Sequence, residues 1–412
     1  MAMQKSRRGS MPAPNPVFYH LVMPPLRLYL FIRYNYRKPK TLPPIPKGEP
    51  FVVLGSHASN LDFLFTFTAL YPHRMNALVS SYFFGGKALS MLLRSLRCIP
   101  RKQFTADPAS IRAMLSVIKR GGSVLLYPEG EVNGTGRFDR MPPGIGRLCK
   151  LMGVRIYAAV NSGSYMTRPK WSGCERKGKV ECRVSLIADA ATVRELSPRA
   201  LEERIQKALY YDDHAWQKRA RVPFKRGARA EGLQHLLYRC PRCGAEGQMR
   251  ARGDTLSCVC CGNGARMDVY GLLHPLKKGD KIFDNVADWV RFERDALKRE
   301  TALPDFHMQC KGSILLHLDA GKTSYRPVGD GVVGIGRDFI TYEGVRLNKR
   351  VSLQWALKDF YKTPFSSGTH MEIPGEEEPR TALVTENRQL LQKYIFAVDT
   401  LYDLREAEAT KA

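Results

Sequence analysis

The pattern Cys240-Pro241-Arg242-Cys243, then fourteen residues, then Cys258-Val259-Cys260-Cys261-Gly262 constrains this chain more than any other feature. Two Cys-x2-Cys knuckles at that spacing, each on a hairpin turn, bring four thiolates to the corners of a tetrahedron, as in a zinc ribbon. The remaining cysteines, Cys98, Cys149, Cys174, Cys182 and Cys310, are scattered singles. A tight cluster plus singles is unlike a secreted disulfide framework and fits a reducing compartment, with the singles as small apolar core residues. Cys240, Cys243, Cys258 and Cys261 are the expected ligands of a structural zinc, and Cys260 is a spare that a shift of register would bring in. Four protein ligands leave no open position, so the metal is expected to serve folding rather than catalysis.

Before this cluster, short apolar runs alternate with helical patterns. Phe51 to Gly55, Met75 to Ser80, Ser123 to Tyr127 and Val154 to Val160 read as strands bounded by turn residues. Helices are expected over Leu61 to Leu70, after Gly85-Gly86 toward Leu96, over Ile111 to Lys119 and Gly144 to Leu151, and from Ser197, where a Ser-Pro start leads into apolar spacing from Leu201 to Leu209. Such alternation predicts an α/β core, a central sheet flanked by helices, with ligands just past strand ends. After Trp216 the chain turns strongly basic, and a core boundary is placed there. A helix is expected near Val286 to Leu297. From Lys311, Val/Ile/Thr-rich runs suggest four to seven strands of a small barrel or sandwich, pleckstrin-homology-like as one form, closed by a helix from Gln389 to Leu404. The resulting division is 1–45 interfacial segment, 46–222 α/β core, 223–275 zinc ribbon inserted or appended, 276–310 helical linker and 311–412 β-rich domain.

Charge narrows the partners. With 65 Lys plus Arg against 39 Asp plus Glu, the net charge is +26, which predicts an anionic partner, nucleic acid or an acidic lipid surface. Lys5, Arg7 and Arg8 precede an apolar stretch from Pro16 to Leu26. Pro24-Pro25 is expected to break it, and Leu28 to Ile32 resumes before Arg33, Arg37, Lys38 and Lys40. Neither half reaches the roughly 20 apolar residues of a spanning helix. The segment reads as interfacial, aromatic and aliphatic groups entering the headgroup boundary beside lipid-attracting cations, with a core-covering helix as the alternative.

The chemistry centres on His57-Ala58-Ser59-Asn60-Leu61-Asp62, just past a strand end. Imidazole titrates near pH 6.5, so a histidine can take the proton of an attacking hydroxyl. A carboxylate on its other ring nitrogen fixes the tautomer and stabilises the imidazolium. His followed five positions later by Asp is weak evidence alone, since Asp62 could simply cap a helix. Further blocks supply context: Gly86-Lys87-Ala88-Leu89 with Cys98-Ile99-Pro100-Arg101, then Tyr127-Pro128-Glu129-Gly130, then the strand Val154 to Val160.

With these blocks the chain resembles the glycerophospholipid acyltransferase family, the 1-acylglycerol-3-phosphate acyltransferase-like His-x4-Asp enzymes, over roughly Phe51 to Val160. The resemblance implies His57 as base, Asp62 as its orienting partner, Glu129 and Gly130 in the acceptor site, and Lys87 and Arg101 on the lysolipid phosphate. The family commonly continues Pro-Glu-Gly with Thr or Ser and then Arg. Here the chain continues Glu131-Val132-Asn133-Gly134-Thr135-Gly136-Arg137, leaving Arg137 to supply the cation from a longer loop. The implied function is transfer of a fatty acyl group from acyl-CoA or an acyl carrier protein to a lysophospholipid, giving phosphatidic acid, at the cytoplasmic face of a membrane and with no catalytic cofactor. The alternatives are another lysolipid or glycolipid acceptor, or a zinc-ribbon nucleic-acid-binding or adaptor protein. Nucleic acid is the less expected partner, because aromatic stacking residues do not surround the cysteines.

Overall fold

The computed structural model describes residues 12–85, 87–102, 107–225, 227–317, 325–359, 361–374 and 380–411. Lys5, Arg7 and Arg8 lie outside them. The chain forms two compact units, the first built from residues 1–133, 137–167 and 177–216, the second from 134–136, 168–176 and 217–412.

The first unit is organised by a six-stranded sheet of β1 (Phe51–Gly55), β2 (Met75–Ser80), β3 (Ile99–Arg101), β4 (Ser123–Leu126), β5 (Arg155–Ser162) and β6 (Glu181–Ala188). The strand order is β3-β2-β4-β1-β5-β6, parallel throughout except for β6, which runs antiparallel to β5. Every residue of β1 and of β4 is buried, as expected for strands covered on both faces. Because the chain leaves β1 for β2 and returns through β4, parallel β1 lies between β4 and β5, and the carboxyl ends of all three fall on one edge of the sheet, the edge at which open α/β sheets take ligands. The alternating pattern placed β1, β2, β4 and β5, while the three-residue β3 was reached only through the Cys98-Ile99-Pro100-Arg101 block of the resemblance. β6 escapes the pattern because its buried residues alternate with exposed ones.

Pro24-Pro25 does not break the amino-terminal segment as the sequence predicts. Pro16–Tyr34 is one helix, capped by the Asn15 side chain accepting from the Phe18 N–H at 3.2 Å. Two prolines remove two helical donors, but Tyr19, Met23, Leu30 and Tyr34 are buried in the core of this unit and the Tyr19 hydroxyl donates to the His73 carbonyl at 2.9 Å. Tertiary packing holds the helix where local preference opposes it. Its opposite side leaves Val17, Leu21, Leu28, Tyr29, Phe31 and Ile32 exposed. No helix among the described residues is long and apolar enough to cross a membrane.

Among the described residues of the second unit, one large hydrophobic cluster joins ribbon, helix and sheet, with Leu315, Ala382 and Val384 forming a small second one. A four-stranded antiparallel sheet of β7 (Met249–Arg252), β8 (Thr255–Cys258), β9 (Gly264–Met267) and β10 (Leu273–Pro275) carries the cysteine knuckles. The helix Val286–Thr301, the expected linker, is a core element whose Trp289 and Leu297 are fully buried. The β-rich region is a single antiparallel sheet of seven strands: β11 (His307–Leu316), β12 (Arg326–Gly336), β13 (Phe339–Arg346), β14 (Lys349–Ala356), β15 (Phe365–Ser366), β16 (His370–Glu372) and β17 (Thr381–Thr385). They are ordered β14-β13-β12-β11-β17-β16-β15, and the helix Leu391–Lys411 follows. Met249 and Leu256 of the ribbon, Trp289 of the helix Val286–Thr301, Ile314 and Val333 of the seven-stranded sheet and Ile395 and Val398 of the last helix belong to one hydrophobic cluster.

Candidate active site and cysteine centre

β1 ends at Gly55, and the chain turns through Ser56 to His57 before the helix Asp62–Leu70 begins. A Cβ at position 55 would collide with the Tyr127 ring. Glycine here therefore lets Tyr127, arriving at the end of the neighbouring β4, stack on the His57 imidazole with ring centroids 4.5 Å apart. His57 Nδ1 stands 3.4 Å from Asp62 Oδ2, with the imidazole 20% exposed and the carboxylate fully buried. Such a contact favours the Nδ1–H tautomer and leaves Nε2 as the proton acceptor.

Asp62 is held from four sides. Its Oδ2 also accepts the Ser59 N–H at 2.7 Å, while Oδ1 accepts the Ser164 hydroxyl at 2.6 Å and the Asn161 amide at 3.3 Å. The helix-cap alternative is thus only partly wrong: Asp62 does satisfy one turn amide. The Asn161 and Ser164 contacts, from the end of β5, exceed what a cap needs and fix the carboxylate toward the imidazole.

Glu129 lies inward rather than facing a ligand. It is buried, its Oε1 accepting the His57 N–H at 2.8 Å and its Oε2 the Tyr211 hydroxyl at 3.2 Å. Burial, and then the Glu129 carboxylate, push the Tyr211 hydroxyl well above its ordinary range, so it stays protonated and donates. Gly130 has φ +79° and closes a turn onto the Tyr127 carbonyl at 3.1 Å, a left-handed conformation that glycine adopts without strain. The loop beyond is tied back through the Asn133 N–H, which donates to the His57 carbonyl at 2.7 Å. Arg137 pairs with Asp212, Nε to Oδ2 at 2.7 Å. Burial alone would raise the Asp212 carboxyl, but the Ala215 N–H and the Arg137 guanidinium override it and hold it below the usual carboxylate range.

Arg101 ends β3, paired with Ser80. It is three strand spacings from β1, about 14 Å across the sheet. Burial lowers its guanidinium from the ordinary value, with Asp107 opposing. Lys87 opens the helix Lys87–Ser95, but its side chain lies outside the described residues. The site therefore groups His57, Asp62, Glu129 and Gly130 closely, with Arg101 at a distance. Sequence reading missed Asn161, Ser164, Tyr211, Asp212 and Asp213. The polar run Asn161-Ser162-Gly163-Ser164 at the end of an apolar strand was the available signal for the first two.

The cysteine centre is built by two copies of one turn. Gly244 N–H donates to the Cys240 carbonyl at 3.0 Å and Cys240 N–H to Ala245 at 2.9 Å. In the second knuckle Gly262 N–H donates to Cys258 at 2.9 Å and Cys258 N–H to Asn263 at 2.8 Å. The Cys240, Cys243, Cys258 and Cys261 sulfurs all lie within 4.8 Å of one another, with Cys240 to Cys261 and Cys243 to Cys258 both at 3.7 Å. A tetrahedron with metal–sulfur bonds of 2.3 Å has edges of about 3.8 Å, whereas a disulfide would need about 2.0 Å. The donor set fits a thiophilic metal, and the exposed Cys260 is not part of it. Glu293 and Trp289 brace the first knuckle, Glu293 accepting the Arg239 N–H at 2.8 Å and the Trp289 indole donating to the Arg239 carbonyl at 3.0 Å.

Residues 34–162 match the family model described as Acyltransferase. The match ends before the cysteine centre and the β-rich region. A solved structure, the 1-acyl-sn-glycerophosphate (LPA) acyltransferase PlsC from Thermotoga maritima, is similar at 16% identity over 47% of this chain and 78% of that one, with a TM-score of 0.39, too slight a likeness to argue from. No curated protein matches the chain significantly.

Proposed function

We propose, on the premise that residues 34–162 are an acyltransferase domain, that this O-acyltransferase moves a fatty acyl group from a coenzyme A or carrier-protein thioester to the hydroxyl of a lysophospholipid. The preferred acceptor is 1-acylglycerol-3-phosphate, giving phosphatidic acid. The observation that carries the reading is the buried Asp62 carboxylate facing His57 Nδ1 at 3.4 Å at the carboxyl ends of β1, β4 and β5. His57 Nε2 takes the acceptor's hydroxyl proton as the oxygen attacks the thioester carbonyl. The C–S bond then breaks, and the departing thiolate takes the proton from the imidazolium, which Asp62 stabilises while it exists.

Arg101 suits the acceptor's phosphate through charge-assisted hydrogen bonds, with Lys87 as second cation. Arg137 is already paired with Asp212 and serves the loop first. Cys240, Cys243, Cys258 and Cys261 would hold zinc, which supplies cross-linking of the fold and no step of the reaction. The exposed apolar side of Pro16–Tyr34, flanked by Arg27, Arg33, Arg37 and Lys38, supports peripheral binding to an anionic bilayer on its cytoplasmic face. A zinc-ribbon nucleic-acid binder accounts for the charge but not for the His57 and Asp62 geometry.

The test incubates the full chain with labelled acyl thioesters and a panel of lysolipids on anionic vesicles, beside His57→Ala and Asp62→Asn. Both variants should lose on the order of 10²–10⁴ in kcat. Transfer undiminished in His57→Ala would overturn the mechanism, and transfer only to other hydroxyls would overturn the acceptor.

A further inference from the structure

Three consecutive residues outside the family match, Tyr211, Asp212 and Asp213, each end on a different support of the His57 and Asp62 pair. The Tyr211 hydroxyl donates to Glu129 Oε2 at 3.2 Å, and the same carboxylate's Oε1 accepts the His57 N–H at 2.8 Å. Asp212 pairs with Arg137 at 2.7 Å. The Arg137 carbonyl accepts the Asn133 amide at 2.8 Å, and the Asn133 N–H donates to the His57 carbonyl at 2.7 Å. Asp213 accepts the N–H groups of Gly163 at 3.0 Å and Tyr165 at 3.1 Å, one on each oxygen. Between those two residues Ser164 donates to Asp62 Oδ1 at 2.6 Å.

We infer that Tyr211, Asp212 and Asp213 are a positioning bracket for the catalytic pair. Tyr211 and Asp212 act on the backbone N–H and carbonyl of His57, and Asp213 acts on the Asp62 carboxylate through Ser164. Arg137 and Asp212 form an isolated antiparallel β-bridge, and the Phe138 N–H donates to the Tyr211 carbonyl at 2.9 Å, so this part of the chain is extended. In extended backbone, alternate side chains point to opposite sides. Tyr211 and Asp212 therefore point to opposite sides, and Asp213, the first residue of the helix Asp213–Ala220, turns to the third support.

A plain structural account explains Asp212, which accepts the Ala215 N–H at 2.9 Å and caps the helix Asp213–Ala220. It does not explain Asp213, which is buried and bonds the 163–165 turn rather than its own helix. Burying a carboxyl is costly unless its hydrogen bonds repay it, and here the two bonds hold Gly163 and Tyr165, the neighbours on either side of the Ser164 that orients Asp62. Sites of chemistry are where a fold keeps such locally unfavourable choices.

The inference rests on the acyl-transfer reading, so its test has a readout independent of turnover. Tyr211→Phe removes one hydroxyl, Asp213→Asn replaces one of two acceptor oxygens with a donor, and Ser164→Ala cuts the link to Asp62. In the full chain each should lower kcat roughly 10- to 100-fold while KM for both substrates stays within about two-fold, because a small misplacement of reacting groups costs rate rather than binding. In protein labelled with 15N-histidine, the same variants should shift the His57 ring signals away from the Nδ1–H tautomer. Unchanged ring signals and unchanged kcat in Tyr211→Phe and Asp213→Asn, with His57→Ala inactive, would overturn the bracket and leave the reaction standing. If the unaltered chain transfers no acyl group, the reaction is wrong, and the ring signals alone decide the bracket. Tyr211→Phe keeps the ring and its packing, so a misfolded Asp213→Asn would not remove the test.

Discussion

At the residue scale, Gly55 shows how little room the pair has. Tyr127 passes where a Cβ would be, its hydroxyl 3.3 Å from Thr66 Oγ1 and its face on His57. Gly55→Ala should push that ring off the imidazole, lowering stability by about 1–3 kcal/mol as overpacking does, and lowering kcat more than KM. Denaturant unfolding and steady-state kinetics on the same preparation check both. Wild-type values would mean that Tyr127 moves freely and does not seat His57. Position 57 itself was legible in the sequence, because a histidine after a buried strand with a nearby carboxylate has a recognisable chemistry. The inward role of Glu129 was not, because a Pro-Glu-Gly turn does not reveal whether its carboxylate faces a ligand or the backbone of His57.

At the scale of elements, the ribbon, the helix Val286–Thr301 and the seven-stranded sheet were expected as successive pieces, yet their buried residues interlock. The knuckle residue Arg239 is held by Glu293 and Trp289 of that helix. Loss of the metal should therefore disturb more than the 22 residues from Cys240 through Cys261. Chelation, or Cys258→Ser, should abolish protection of helix Val286–Thr301 amides in hydrogen exchange along with those of β7 to β9, since metal binding is folding free energy in such sites. Protection lost in the ribbon alone would show it to be an independent module. The boundary positions of most elements were readable from turn residues and apolar runs. The continuity of Pro16–Tyr34 through two prolines was not, since it depends on what Tyr19 and Tyr34 pack against.

At the scale of the molecule, two buried carboxyls set a pH dependence. Burial, opposed by the Gly163 and Tyr165 N–H groups and reinforced by Asp62 and Asp212, pushes Asp213 up to about 8. Burial pushes Glu293 well above its ordinary value against the Arg239 and Tyr238 N–H groups. Both groups hold a proton more tightly folded than unfolded. The stability they contribute is full below about pH 4, their unfolded range, and is lost as pH rises, for Asp213 through about 8. Asp212 and Glu372 are shifted the other way, so their contribution is lost on acidification. With zinc held constant, the melting temperature should fall by a few degrees between pH 6 and pH 8.5. Asp213→Asn, which cannot ionise, should narrow that fall, and an unchanged fall would show that Asp213 is not its source.

The sequence by itself determined the elements whose cause is local. Runs of β-branched and apolar residues between turn formers set the strands, the Cys-x2-Cys spacing set the knuckles, and the four blocks from His57 to Val160 set the family resemblance. Only the tertiary structure decided what those elements do to one another. Choosing Cys258 and Cys261 over Cys260, turning Glu129 inward and bringing Tyr211 to Asp213 back onto His57 and Asp62 are contacts between distant segments. Each depends on which side chains are buried together, and burial belongs to the folded chain rather than to any stretch of it.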